Sequence, residues 1–121
     1  MEGKMKFKDM QYERIPVEKI AEEATALIKE LKELKAAKSF SEAEEVFLRM
    51  EAMQGHVDTM STLTHIRHSI NTEDKFYDEE ENYWNNAAPK IQEYKQEWIK
   101  TLLLSPFKED FEKKYGSIVF T

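Results

Sequence analysis

The sequence predicts an all-α bundle of about four helices, and three observations predict it. Apolar residues recur at spacings of three and four over most of the 121 residues, the period of a helix face. Glycine and proline are scarce, at three each, which implies few connections and long elements. The candidate breaks are short polar clusters carrying helix-capping residues. A single domain spanning 1–121 is expected, because domains typically run to about 100–150 residues. A chain of this size buries roughly two-thirds of the surface it exposes when unfolded.

Residues 1–15 form a lead-in in which Phe7, Met10, Tyr12 and Ile15 are apolar anchors, able to lie extended across a helix surface. Ile15 precedes Pro16, which biases it toward extended geometry, and Pro16 suits a first helical turn. The first helix carries Val17, Ile20, Ala24, Leu27, Leu31 and Leu34 on one stripe, widened by Ala21 and Ile28. Glu18, Glu22 and Glu23 crowd its start and Lys32, Lys35 and Lys38 its end, matching the helix dipole.

Lys38-Ser39-Phe40-Ser41 is the first break, with Ser39/Glu42 and Ser41/Glu44 as two possible capping boxes. A long second helix is expected from about Ser41 to Ser69. Ala43, Val46, Phe47, Met50, Met53, Val57, Met60 and Thr64 line one side, and Leu63, Ile66 and Ile70 open a second apolar line. Gly55 sits inside this pattern and weakens the helix by roughly 1 kcal/mol relative to Ala, which suggests a bend or a close crossing. Asn71-Thr72 is the second break, and either residue can cap the third helix. That helix carries Phe76, Tyr77, Tyr83, Trp84, Ala87, Ile91, Tyr94, Trp98, Leu102 and Leu103. It is expected to run antiparallel to the second, with a kink or break near Ala87–Ala88 ahead of Pro89. Ser105 and Pro106 then suit the cap and first position of a short fourth helix. Phe107, Phe111 and Tyr115 share its face, and Gly116 suits its C-terminal position. The apolar ending Ile118-Val119-Phe120 reads as an exposed tail at a cut edge.

Charge excludes several function classes. Charged residues make up 35% of the chain with both signs interleaved, and the net charge is −6, so it lacks the basic footprint that nucleic-acid binding needs. No apolar run approaches the ~20 residues of a membrane span, and MEGKMKFKDM has no secretory apolar core. The absence of cysteine excludes disulfides, thiolate metal sites and a cysteine nucleophile. A cytoplasmic address is the plain reading.

The stretch from His56 to Trp84 holds all three histidines. His65 and His68 are three apart and share a helix face, whereas His56 is out of phase with them. A zinc site needs at least a third protein ligand, for which Asp74, Asp78 or Glu81 are candidates, but nothing in the spacing demands it. No His-Glu-x-x-His, Glu-x-x-His, Gly-x-Ser-x-Gly or glycine-rich phosphate loop is present. The run Asp78–Glu81 reads as the wet side of a helix. Arg67, between Ile66 and His68, is expected to pair with a carboxylate such as Asp74.

Several ordered pieces resemble the N-terminal region of the oligoendopeptidase F family of thimet-oligopeptidase-like zinc metallopeptidases. They are Phe7-Lys8-Asp9-Met10, Tyr12-Glu13-Arg14, Asp58-Thr59-Met60, Ile66-Arg67-His68, Asn71-Thr72 with Asp74, Phe76-Tyr77, Glu81, Pro89 and Ser105-Pro106-Phe107, closing at Gly116. The resemblance covers nearly the whole chain and is weakest in the first helix and the start of the second. Two departures are mild: Asn71 stands where an aspartate is usual, and Lys108 where an arginine is usual.

The resemblance implies an N-terminal fragment of a longer, mostly helical hydrolase shaped around a deep channel. Zinc in the parent enzyme sits in a His-Glu-x-x-His helix whose glutamate acts as general base. Those residues have no counterpart here, so the chain carries no catalytic residue, metal ligand or cofactor of its own, and alone it is expected to be inactive. The implied role is a channel wall or lid that admits short peptides. Arg67, His68, Asp74 and Tyr77 are the candidates for facing the channel or the interface with the catalytic domain. The implied partners are that catalytic domain and short peptides, with no nucleic acid and no membrane. Apolar surface at the Ile118–Phe120 end predicts self-association of the piece alone. The alternative is a self-contained helical-bundle interaction protein without catalytic activity.

Overall fold

A computed structural model describes residues 11–35 and 39–121. The expected anchors Phe7 and Met10, the family-like 7–10 piece and Lys38 lie outside the described residues. Four helices follow one another: α1 (Val17–Glu33), α2 (Phe40–Ile70), α3 (Lys75–Leu104) and α4 (Lys108–Tyr115). A 3-10 turn, Ser117–Phe120, comes after them, and no strand occurs among the described residues.

Helix α1 forms because its apolar positions fall on one stripe. Val17, Ile20, Ala21, Ala24, Leu27, Ile28 and Leu31 are all buried. Pro16 stands just outside the helix in extended geometry and accepts the first helical hydrogen bonds through its carbonyl. The expected inner face of α2 is also correct throughout: Ala43, Val46, Phe47, Met50, Met53, Val57, Met60 and Thr64 are buried. Its second apolar line is not. Leu63 is fully buried, but Ile66 is half-buried and Ile70 is 78% exposed.

Neither expected irregularity breaks its helix. Gly55 lies within an unbroken α2, and a Cβ built there meets nothing within 4 Å, so it serves no close crossing. Helix α3 is continuous through Pro89. Pro89 and Asn85, whose carbonyl loses its helical partner, are both exposed, so water can satisfy the freed group.

The partners joining α2 to α3 are ordered in reverse: His68 meets Asp78, His65 meets Glu81, and Gln54 meets Tyr94. Helix α1 packs on α3 and α2, and one core runs through all of them. Fully burying a Val, Leu, Ile, Phe or Met contributes about 1.5–3 kcal/mol, and Leu31, Val46, Val57, Leu63, Leu102 and Phe111 are all buried below 2% exposure.

Helix α4 begins two residues later than expected. Ser105, Pro106 and Phe107 form a turn in which the Ser105 hydroxyl accepts from Phe107 N–H, and α4 starts at Lys108. Phe107 and Phe111 are buried, and Phe111 packs against the rings of Phe40 and Phe47. Lys114 and the Tyr115 hydroxyl both reach the Glu44 carboxylate, fastening α4 to α2. Gly116 has φ 83°, as its place after the helix requires. The expected exposed tail is corrected in part: it folds back as the 3-10 turn, and Val119 and Phe120 pack on the core while Ile118 stays 75% exposed.

A candidate polar corner at the turn between the long helices

Helix α2 ends when the Asn71 N–H bonds the Arg67 carbonyl and the Asn71 side chain accepts from Glu73 N–H at 3.1 Å. These bonds occupy Asn71, so neither it nor Thr72 caps the next helix. Asp74 does so instead. Its carboxylate accepts from Phe76 N–H at 2.9 Å and from Tyr77 N–H at 3.4 Å. The cap satisfies two of the four orphan donors of α3 and places negative charge at its positive end.

The corner then closes through side chains. Glu81 Oε2 lies 2.9 Å from His65 Nδ1 and 3.3 Å from His68 Nδ1, while His68 Nε2 lies 3.2 Å from Asp78. Arg67 donates to the Tyr77 hydroxyl at 2.7 Å and its guanidinium lies 5.6 Å over that ring. The expected pairing of Arg67 with Asp74 in particular is not formed: Asp74 caps α3, and Tyr77 is the described partner of Arg67 on that helix. The sequence-nominated residues Arg67, His68, Asp74 and Tyr77 do share one corner, with Asp74 and Tyr77 supplied by α3 and its cap, and Arg67 and His68 by α2. His56 lies elsewhere, 2.8 Å from Glu13 in the lead-in.

A second cluster, which sequence reasoning missed, lies beside the first. Glu80 is only 4% exposed, not on the wet side of α3. The Tyr12 hydroxyl donates to Glu80 Oε1 at 2.6 Å and accepts from Trp84 Nε1 at 2.8 Å. Arg14 grips both Glu80 oxygens, one of them from Nε at 3.0 Å. One residue before Trp84 on α3, the Tyr83 hydroxyl donates to the Ile15 carbonyl at 2.8 Å and accepts from Val17 N–H at 2.9 Å. The lead-in residues 12–15 are thus strapped onto α3. The signal was present in the spacing: Tyr77, Glu80, Trp84 and Ala87 fall three and four apart on one stripe.

These contacts set the charge states. Hydrogen bonding from Arg14 holds the Glu80 carboxyl below its ordinary range, against the opposing effect of burial. Burial, then the hydrogen bond to Glu80, pushes the Tyr12 hydroxyl up to about 12. Burial likewise raises Tyr94 to about 12.

The corner does not fit the zinc that the resemblance implies for a parent enzyme. Among the described residues no group of three or more His, Asp or Glu side chains is arranged to hold a metal ion. The histidine nitrogens are instead turned onto carboxylate oxygens. What the corner can do is hold two helix ends at a fixed angle and present a half-buried polar surface. No helix among the described residues is long and apolar enough to cross a membrane.

Comparison with known proteins is consistent with this architecture. No curated protein matches the chain. A crystal structure of a protein assigned as an oligoendopeptidase F is similar, with TM-score 0.85 and 26% identity over 97% of this chain. The chain spans 20% of the length of that protein. The family model for the peptidase M3 N-terminal domain matches residues 7–121. That match takes in every element from the strap to the 3-10 turn, and the chain belongs to the peptidase M3 N-terminal domain family.

Proposed function

We propose that this domain forms one wall of the substrate channel of a zinc-dependent oligoendopeptidase and limits entry to short, unfolded peptides. The observation that carries the reading is the family match over residues 7–121. The likeness to the oligoendopeptidase F structure supports it, since the same fold is about one-fifth of that longer chain. In this reading a catalytic domain supplies the zinc, the general base and the scissile geometry. This domain supplies shape. Arg67, His68, Asp74 and Tyr77 face the channel or the catalytic domain, where their locked side chains hold the rim of the wall rigid.

The test is a hybrid in which these 121 residues replace the matching fifth of that oligoendopeptidase. The hybrid is expected to cleave short quenched peptides and to leave an unfolded protein of full length intact. The isolated chain is expected to cleave neither and to carry no stoichiometric zinc in elemental analysis. Zinc together with cleavage in the isolated chain would overturn the proposal, as would a hybrid that cuts long and short substrates equally.

A further inference from the structure

A cavity of about 310 Å³ opens between α2, α3 and the 3-10 turn. Trp98, Ile99, Ile118 and Val119 form its apolar wall, and Glu51, Gln54 and Lys95 its polar side. Trp98 is 6% exposed, and its Nε1–H is fully buried with no hydrogen-bond acceptor among the described residues. Leaving a buried donor unpaired costs about 1–3 kcal/mol, so an acceptor arriving at this wall has a gain waiting for it.

The surface around the cavity is apolar as well. Six large hydrophobic side chains are exposed in the described chain; one of them lines this cavity and two more lie one helical turn from its lining residues. Ile118 lines it, Leu103 follows Ile99 by one turn of α3, and Leu48 precedes Glu51 by one turn of α2. Ile70 and Phe76 lie at the opposite end of the long helices, so the clustering is local to this face. A buried tryptophan under an aliphatic ring, flanked by one acidic and one basic residue, has the anatomy of an interface centre.

We infer that this face is the docking surface for the catalytic portion of an M3 peptidase, through a segment that inserts an aliphatic side chain and offers a main-chain carbonyl to Trp98 Nε1. The inference rests on the channel-wall reading and adds the surface by which the wall is held. Two observations choose this occupant. In the similar oligoendopeptidase this fold shares its chain with about four times as much polypeptide, which must contact it somewhere. The cavity offers a donor, a carboxylate and an ammonium beside aliphatic groups, which suits a polypeptide backbone better than a purely apolar or purely charged ligand.

The test uses the 121-residue chain and, as probe, the oligoendopeptidase lacking its matching fifth, with binding followed by calorimetry. The unaltered chain is expected to bind. Ile118→Asp and Leu103→Asp, both on exposed side chains, are expected to weaken binding at least tenfold, and Ile70→Asp at the far end to leave it unchanged. Trp98→Phe, which removes the N–H, is expected to weaken binding at least tenfold with the domain still folded by circular dichroism. Binding by folded Trp98→Phe equal to that of the unaltered chain would overturn the role of the N–H. Binding lost in Ile70→Asp but kept in Ile118→Asp would overturn the surface and leave the channel-wall reading standing. Failure of the unaltered chain to bind would overturn both. A homodimer of the chain that Ile118→Asp dissolves would show a second copy to be the occupant instead.

Discussion

Glu80 is a charged residue with almost no access to water, and it is tolerable only because every nearby donor points at it. Tyr12 and Arg14 satisfy its two oxygens, and Trp84 completes the chain of bonds through Tyr12. Arg14 is itself half exposed, so it can return to water if Glu80 is lost. Removing the charge therefore costs less than breaking a fully enclosed pair. Glu80→Gln is expected to lower stability by about 1–3 kcal/mol in urea unfolding, with Tyr12→Phe partly non-additive to it because the two share one bond network. Full additivity would show that the network is not coupled. At this scale the sequence was only partly legible. Arg67, His68, Asp74 and Tyr77 do meet, but Asp74 turns out to be a cap and not the partner of Arg67, since a carboxylate can serve as ion-pair partner or cap and only the backbone path decides between them.

At the scale of elements, periodicity was a good guide and local irregularity was not. All eight residues assigned to the inner face of α2 are buried, because a stripe at helical period has one way to leave water. Gly55 and Pro89 signal disturbance in any sequence, yet both sit on wet helix surface where their penalties need not distort the backbone. Gly55→Ala is thus expected to stabilise the domain by about 0.5–1 kcal/mol, since the added methyl meets nothing and helix propensity improves. Gly116→Ala is expected to act in the opposite sense, costing about 1–3 kcal/mol, because φ 83° with ψ 169° is a conformation reserved for glycine. Thermal melts of the two variants check both signs. The expected start of α4 at Pro106 failed because the turn before it takes its own hydrogen bond from Ser105.

For the molecule as a whole, the shifted groups define a window of acidity in which the fold is secure. Glu80 and Glu44 have folded values below the ordinary 4.5, each first through a hydrogen-bonded cation, Arg14 and Lys114. Their contribution is present above 4.5 and is lost as pH falls through the lowered values. Tyr12 and Tyr94 are raised from 10.0 to about 12. Their contribution is complete below 10 and is lost as pH rises toward 12. Unfolding midpoints in urea are expected to fall as pH drops below about 4.5 and as it rises above about 10. Glu80→Gln should flatten the acid limb and, because the Glu80 carboxylate also raises Tyr12, soften the alkaline limb to a lesser degree. The alkaline limb should track tyrosinate absorbance, and a fall that began well below pH 10 would count against the tyrosine assignment. The all-helical class was legible from the sequence, whereas the folding back of Val119 and Phe120 was not, since three apolar residues at an end do not say which surface receives them.

The strap has a consequence for how the chain comes into being. Its bonds span 66–72 residues, with Tyr12 reaching Trp84 across 72. At ribosomal speeds of about 5–20 residues per second, Tyr12 waits roughly 4–14 seconds for its partner to be made. In that interval α1 can pair with α2, and of the strap Glu13 finds partners, His56 and Met60 on α2, ahead of the bonds to Glu80 and Trp84. The beginning of the described chain is therefore among the last parts to settle during synthesis, and a chaperone or protease following translation would meet it before its own helix does.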